Sequence, residues 1–148
     1  MKIVMGIDTT LITDPLKVAE LASHLLDVVT EVNREYMRSF KGRIPPLLKS
    51  GLEWRQEPWA GVFEEFADCL TALSRGWLDC DDAVPYRRAD LAEYEGESSS
   101  NSIYYRENPR KPHFIGGAMV LLPPTYTYHV QVRRGNGTIE DVSRLLGM

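Results

Sequence analysis

Cysteine is scarce in this sequence: Cys69 and Cys80 are the two among 148 residues. A chain of this size that relied on disulfides would normally contain more, so both thiols are predicted to be free. Long apolar runs are also missing, and residues 118–122 fall far below the ~18 residues that span a bilayer. The apolar stretch that opens the chain is too short for a secretory signal, which predicts folding in a cytoplasm.

Positive charge is not in excess either. The chain has 17 lysine and arginine residues against 21 aspartate and glutamate residues, a formal net charge of −4. Binding to a nucleic-acid backbone requires clustered positive charge, so nucleic acid is not expected as a partner. Because no candidate membrane span is present, a membrane is not expected as a partner.

The length predicts one domain over residues 1–148, since a typical domain has about 150 residues. Its first helix is predicted from Asp14, a capping residue, and Pro15, which suits the first helical position, to about Gly42. The apolar positions that predict this helix, three or four residues apart, are Val18, Leu21, Leu25, Val28, Val32, Tyr36 and Phe40.

Two further helices are predicted before the last third of the chain. One covers about residues 60–75 and has Gly76 where a C-terminal cap belongs. The other follows residues 79–82 and ends by Gly96.

The last third of the chain is predicted to be an antiparallel sheet, because aromatic and β-branched residues alternate there with polar ones. Residues 135–137, Gly-Asn-Gly, predict a hairpin turn. The predicted strands are residues 103–106, 114–122, 126–133 and 138–142, and the predicted exposed loops are residues 97–101 and 108–112. Helices followed by such a sheet predict an α+β domain, with a helical part over residues 1–76 and a Cys80 helix plus the sheet over residues 77–148.

Three residues suggest nucleophilic chemistry. Cys80 lies where a loop meets the start of a helix, a position that favours a thiolate. His129 lies in the middle of a predicted strand, and Asp141 lies on the return strand beyond the turn. A turn centred on Asn136 pairs residues whose numbers sum to about 272, which places Asp141 diagonal to His129. The three would supply a nucleophile, its base and the group that orients the base.

The same residues carry a family resemblance. Residues 76–82 (GWLDCDD) resemble the G-x-D-C-[DE]-D signature of transglutaminase-like proteins, which belong to the papain-like thiol superfamily. Residues 128–134 (YHVQVRR) and 139–141 (IED) resemble the His and Asp blocks of that family. The order of these blocks is similar to that in small proteins of tailed bacteriophages, and the match covers about half the chain.

The resemblance implies a papain-like core with Cys80, His129 and Asp141 as a catalytic triad. Trp77 and Asp79 are then candidates to contact the oxyanion or to pack the site. The implied function is acyl transfer from an amide, by a cysteine peptidase or a transglutaminase-like enzyme acting on a protein or peptide. The alternative is a catalytically inactive component of a phage virion or its assembly apparatus, with phage structural proteins as partners. Either role would place the protein in the host cytoplasm or the virion.

Two departures from the family pattern bear on activity. Leu78 is larger than the small residue usual at its position, and it could crowd the thiol. Pro85 falls at the sixth position of the helix if Asp79 caps it, at a cost of about 3 kcal/mol, but in the tolerant first turn if Asp82 is the cap.

Neither a cofactor nor a metal is predicted. The acidic cluster of Asp79, Asp81 and Asp82 lacks the alternating oxygen donors and the glycine of a calcium loop, and no Cys or His pair accompanies it for zinc. The same carboxylates surround the Cys80 sulfur with negative charge, which opposes a thiolate.

Overall fold

The computed structural model describes residues 4–8, 11–58 and 63–148, and within them the chain has an α+β fold. The helices are α1 (Pro15–Ser39), α2 (Cys69–Arg75), α3 (Cys80–Tyr94) and α4 (Val142–Leu145), with a short 3-10 turn at Leu47–Lys49. The strands are β1 (Val4–Asp8), β2 (Glu53–Trp54), β3 (Phe63–Ala67), β4 (Trp77–Leu78), β5 (Ser99–Glu107), β6 (Pro112–Ile115), β7 (Ala118–Leu121), β8 (Tyr126–Arg134) and β9 (Ile139–Glu140). In this described part, no helix combines the length and apolar character that a membrane span requires.

Helix α1 begins as predicted. The Asp14 side chain accepts a hydrogen bond from the Leu16 N–H, and Pro15 is the first helical residue. The buried face matches the predicted row of apolar residues only in part: Val18 is buried and Leu25 and Tyr36 pack against the core, but Leu21 and Val28 are exposed. The residues that face the core are Val18, Ala22, Leu26, Val29, Thr30, Asn33 and Met37. Asn33 belongs to this face because its Oδ1 accepts the Cys69 N–H at 2.7 Å.

The predicted helix over residues 60–75 is wrong in its first part. Residues 60–62 lie outside the described residues, and residues 63–67 form β3, which pairs antiparallel with β1. Helix α2 begins only at Cys69. Asp68 is its N-cap residue, and the Asp68 side chain accepts a hydrogen bond from the Thr71 N–H at 2.7 Å. The predicted glycine cap is confirmed, since Gly76 has a φ of +82°. Pairing with a distant strand overrides the helical spacing of residues 62–70, and this pairing is not visible in the local pattern.

The three-stranded sheet in the last third of the chain has the strand order β5-β8-β9, with β8 in the centre. The predicted register is confirmed, because Val132 pairs with Glu140 and Arg133 with Ile139. Two predictions about this region are wrong. Residues 99–101 belong to β5 instead of a loop, and residues 114–122 do not form one strand. Glycines 116 and 117, both with positive φ, divide that segment into the hairpin β6–β7.

The core lies between the helices and this sheet. Helix α3 packs against α1 on one side and against β8 on the other. The side chains with no exposure at this junction include Leu26, Val84, Tyr86, Leu91 and Val132. Because α3 is buried on both sides, the residue that begins it is held in a fixed relation to the central strand.

Among the polar residues of α1, Asn33 is predicted to be the one whose substitution lowers the free energy of unfolding most. Replacing Asn33 with Ala leaves the buried Cys69 N–H without an acceptor, and we expect the free energy of unfolding to fall by about 2–3 kcal/mol in urea denaturation. Glu31→Ala is the matched control, because Glu31 lies exposed on the same helix, where its ion pair with Arg34 contributes about 1 kcal/mol or less. Equal losses from the two variants would contradict the assignment.

Candidate active site

Cys80 is the first residue of α3, and Asp79 is its N-cap residue. Because Asp79 and not Asp82 is the N-cap residue, Pro85 lies inside the helix. Pro85 has no N–H, so the Asp81 carbonyl lacks its usual donor. The two-residue strand β4, which pairs in parallel with β2, leads the chain to Cys80. Leu78 on β4 is fully buried in the core and does not line the cleft next to Cys80.

His129 and Asp141 are in direct contact. His129 Nε2 lies 3.1 Å from Asp141 Oδ2, and the Gln131 amide donates to the same oxygen at 3.2 Å. Asp141 is not on the return strand, as predicted, but one residue beyond it, where its side chain caps α4. Burial raises the pKa of Asp141, but the hydrogen bonds from His129 and Gln131 outweigh this effect and hold it below its usual value.

Glu140 positions this aspartate. One of its carboxylate oxygens accepts from Arg87 of α3 at 2.7 Å, and the other accepts from Arg134 of β8 at 3.1 Å. The end of β9 is therefore tied both to the helix that carries Cys80 and to the strand that carries His129. Sequence reasoning missed Gln131 and Glu140, although both lie within or beside the blocks that carry the family resemblance.

Cys80 and His129 line one cleft of about 320 Å³. The Val130 N–H lies close enough to the Cys80 sulfur to lower the pKa of the thiol, which places the sulfur beside β8 at the residue next to His129. Among the described residues, no hydrogen bond joins the sulfur to the imidazole. The cleft is also lined by Trp54, Gln56, Glu64, Asp79, Asn108, Tyr126, Thr127, Tyr128 and Met148.

Two aromatic residues near the cleft were not singled out in the sequence. Tyr104 of β5 lies across from His129, and its ring meets the imidazole edge-on with centroids 5.3 Å apart. The Trp54 indole N–H is buried without a hydrogen-bond partner. Trp77, by contrast, does not line the cleft, and its ring packs against the Arg75 guanidinium at 3.7 Å.

Acidic side chains dominate the surroundings of Cys80. Burial and the neighbouring Asp79 carboxylate raise the pKa of the Cys80 thiol to about 12, and the Val130 N–H lowers it only in part. Burial also raises the pKa of Asp81 and Asp82 well above the usual range, and Asp79 adds to both shifts. These effects favour the thiol form of Cys80 over the thiolate.

No protein-family model, no curated protein and no solved structure matches this chain. Its function is therefore inferred from the geometry of the cleft and from the residues that line it.

The contact between Asp141 and His129 predicts a loss of stability that depends on pH. We expect Asp141→Asn to lower the free energy of unfolding by about 1–2 kcal/mol at pH 7, since hydrogen bonds to a charged group are lost. Because the pKa of folded Asp141 is depressed, this stabilisation is present above the normal aspartate pKa and is lost as pH falls through the folded value. The difference between the two proteins should therefore shrink at pH 3 in urea denaturation. Glu20→Gln, an exposed change on α1, is the control, and a difference that is independent of pH would contradict the prediction.

Proposed function

We propose that this chain is a thiol acyl-transfer enzyme with a papain-like core, related to the transglutaminase-like proteins of tailed bacteriophages. The observation that carries the proposal is that His129, held by Asp141, lines the same cleft as Cys80 at the start of α3. A nucleophile at a helix start, a base on the central strand and an orienting carboxylate are what acyl transfer through a thioester requires.

The protonation state of Cys80 defines the first step. Because the resting sulfur is a thiol, His129 accepts its proton as the sulfur attacks the amide carbonyl carbon. An S–C bond forms, the carbonyl π electrons move to oxygen, and the tetrahedral intermediate then collapses with cleavage of the C–N bond. The leaving amine takes the proton from His129, and a thioester remains on Cys80.

The thioester is then cleaved by the same steps in the reverse order, with a new nucleophile in place of the leaving amine. Water, in a peptidase, or a primary amine, in a transglutaminase-like enzyme, loses a proton to His129 as it attacks the thioester carbon. The S–C bond then breaks and the sulfur recovers its proton. Asp141 keeps the imidazole in one orientation throughout and stabilises its charged form.

Two donors are available for the oxyanion. The backbone N–H of Cys80 is among those at a helix start that lack an intrahelical acceptor. The Trp54 indole N–H has no other hydrogen-bond partner. Trp54 takes the role considered for Trp77 in the sequence, because Trp54 lines the cleft and Trp77 packs against Arg75.

Alkylation of the two thiols tests this proposal. We expect iodoacetamide to modify Cys80 at least about tenfold faster than Cys69 at pH 8, because a cleft thiol with a neighbouring base is more reactive than a core thiol. Cys69, 1% exposed, is the internal reference. His129→Ala should remove most of the difference, and His24→Ala, on an exposed face of α1, should leave it unchanged. Equal rates for the two cysteines by mass spectrometry would contradict the proposal.

A second candidate function is a catalytically inactive component of a phage virion or its assembly apparatus. The hairpin β6–β7 favours it, because Phe114, Ile115, Met119 and Leu121 are each more than half exposed there. A two-stranded hairpin with so much apolar surface gains stability when a partner covers it. Cys80→Ala in the phage separates the functions: normal particles with fully processed proteins support the structural role, and a block in processing or cross-linking supports the enzyme.

A further inference from the structure

The polypeptide brings a fourth carboxylate to the acidic cluster at the start of α3. Strands β2 and β4 pair in parallel, and the Arg55 N–H continues the pairing by donating to the Leu78 carbonyl at 2.9 Å. The segment after β2 therefore runs beside the first residues of α3. Glu57 lies on this segment and is only 3% exposed.

Strand β3 holds the Glu57 carboxylate on the same side as the Asp82 carboxylate. The Glu65 N–H donates to Glu57 Oε2 at 3.4 Å, and the Ala67 N–H donates to Asp82 Oδ1 at 2.6 Å. N–H groups two residues apart on a strand point to the same side, separated by about 6.6 Å. The carboxylates of Glu57 and Asp82 therefore lie next to each other along one edge of β3.

Positive charge is too scarce among these groups to compensate them. Among the residues that the structure describes, Arg75 is the cation that contacts the cluster, and it pairs with Asp82 and lies 3.6 Å from Glu65. Three buried oxygens from three different carboxylates have no hydrogen-bond partner: Glu57 Oε1, Asp79 Oδ1 and Asp81 Oδ1. Asp79 is the N-cap residue of α3, yet its side chain makes no capping bond. Buried, unpaired carboxylate oxygens are costly unless a further group binds them.

We propose that Asp79, Asp81 and Asp82, with Glu57 beside them, form a binding site for a hard divalent cation such as Ca²⁺ or Mg²⁺. One oxygen from each of the three aspartates lies within 4.8 Å of the others, a spacing that a single ion with oxygen ligands can bridge. Glu57 lies beyond this 4.8 Å group and supplies a further oxygen through water. Asp79 also lines the cleft, which gives the ion a route from solvent.

This site differs from a calcium loop, whose regularly spaced donors the sequence lacks. Its ligands come from the first turn of α3 and from a segment more than 20 residues earlier, so no contiguous motif marks it. The site also goes beyond the proposed acyl transfer, because binding an ion requires neither the thiol nor the imidazole.

Thermal unfolding with single metal chlorides tests the site. In chelator-treated protein, Ca²⁺ or Mg²⁺ at about 100 times its Kd should raise Tm by roughly 5–10 °C, because the ion binds the folded state alone. Asp81→Asn should abolish most of this shift. Asp90→Asn is the matched control, since Asp90 is equally buried on the same helix about 12 Å beyond Asp82, and it should keep the full shift.

A direct binding measurement complements the melts. Tb³⁺ should give saturable luminescence on excitation of the nearby tryptophans Trp54 and Trp77, and Ca²⁺ should displace it. Glu57→Gln should weaken this binding at least about tenfold, which keeps the test valid if Asp81→Asn fails to fold. Cys80→Ser should bind as the original protein does, so loss of the acyl-transfer proposal would leave this one standing.

Two results would overturn the cation site. One is a Tm that does not respond to Ca²⁺, Mg²⁺ or Mn²⁺, and the other is Tb³⁺ luminescence that is unchanged by Asp81→Asn and Glu57→Gln. Either would mean that protons, and not a metal ion, neutralise these carboxylates.

Discussion

The Asp82 carboxylate holds the start of α3, and the position of the cleft depends on it. Its side chain has no exposure, and it is bound by the Ala67 N–H of β3 and by the Arg75 guanidinium at the end of α2. A buried carboxylate is tolerable only with such partners, so the contact fixes three elements relative to one another. Arg75 is itself held against the Trp77 ring. Cys80 emerges at the cleft because this contact fixes the first turn of the helix that it begins.

A second set of charges fixes the aspartate that contacts His129. Glu140 is bound between Arg87 of α3 and Arg134 of β8, and Asp141 follows it immediately. Arg87 is buried, so this contact couples the helix to the sheet in an environment where solvent screens it weakly. The orientation of His129 therefore depends on α3 through Glu140 and Asp141, as well as on its own strand.

The carboxylates that anchor α3 also oppose the chemistry proposed for Cys80. Each negative charge near the sulfur stabilises the thiol over the thiolate, so proton transfer to His129 has to accompany attack. A cation bound by these same carboxylates would reduce the negative charge around the cleft. The acidic cluster thus links the stability of the fold, the proposed reaction and the proposed ion site.

The sequence by itself determined the elements that depend on local pattern. The Asp14-Pro15 start of α1, the glycine cap of α2 and the register across the Gly-Asn-Gly turn were all predicted, because capping and turn geometry depend on a few adjacent residues. The same register predicts Asp141 near His129, but the contact also depends on the chain leaving β9 to begin α4 at Asp141. Only the tertiary structure decided which face of α1 is buried, that β3 is a strand, and that Glu57 is buried against β3. Each of these depends on a partner distant in the chain, and local periodicity carries no information about such partners.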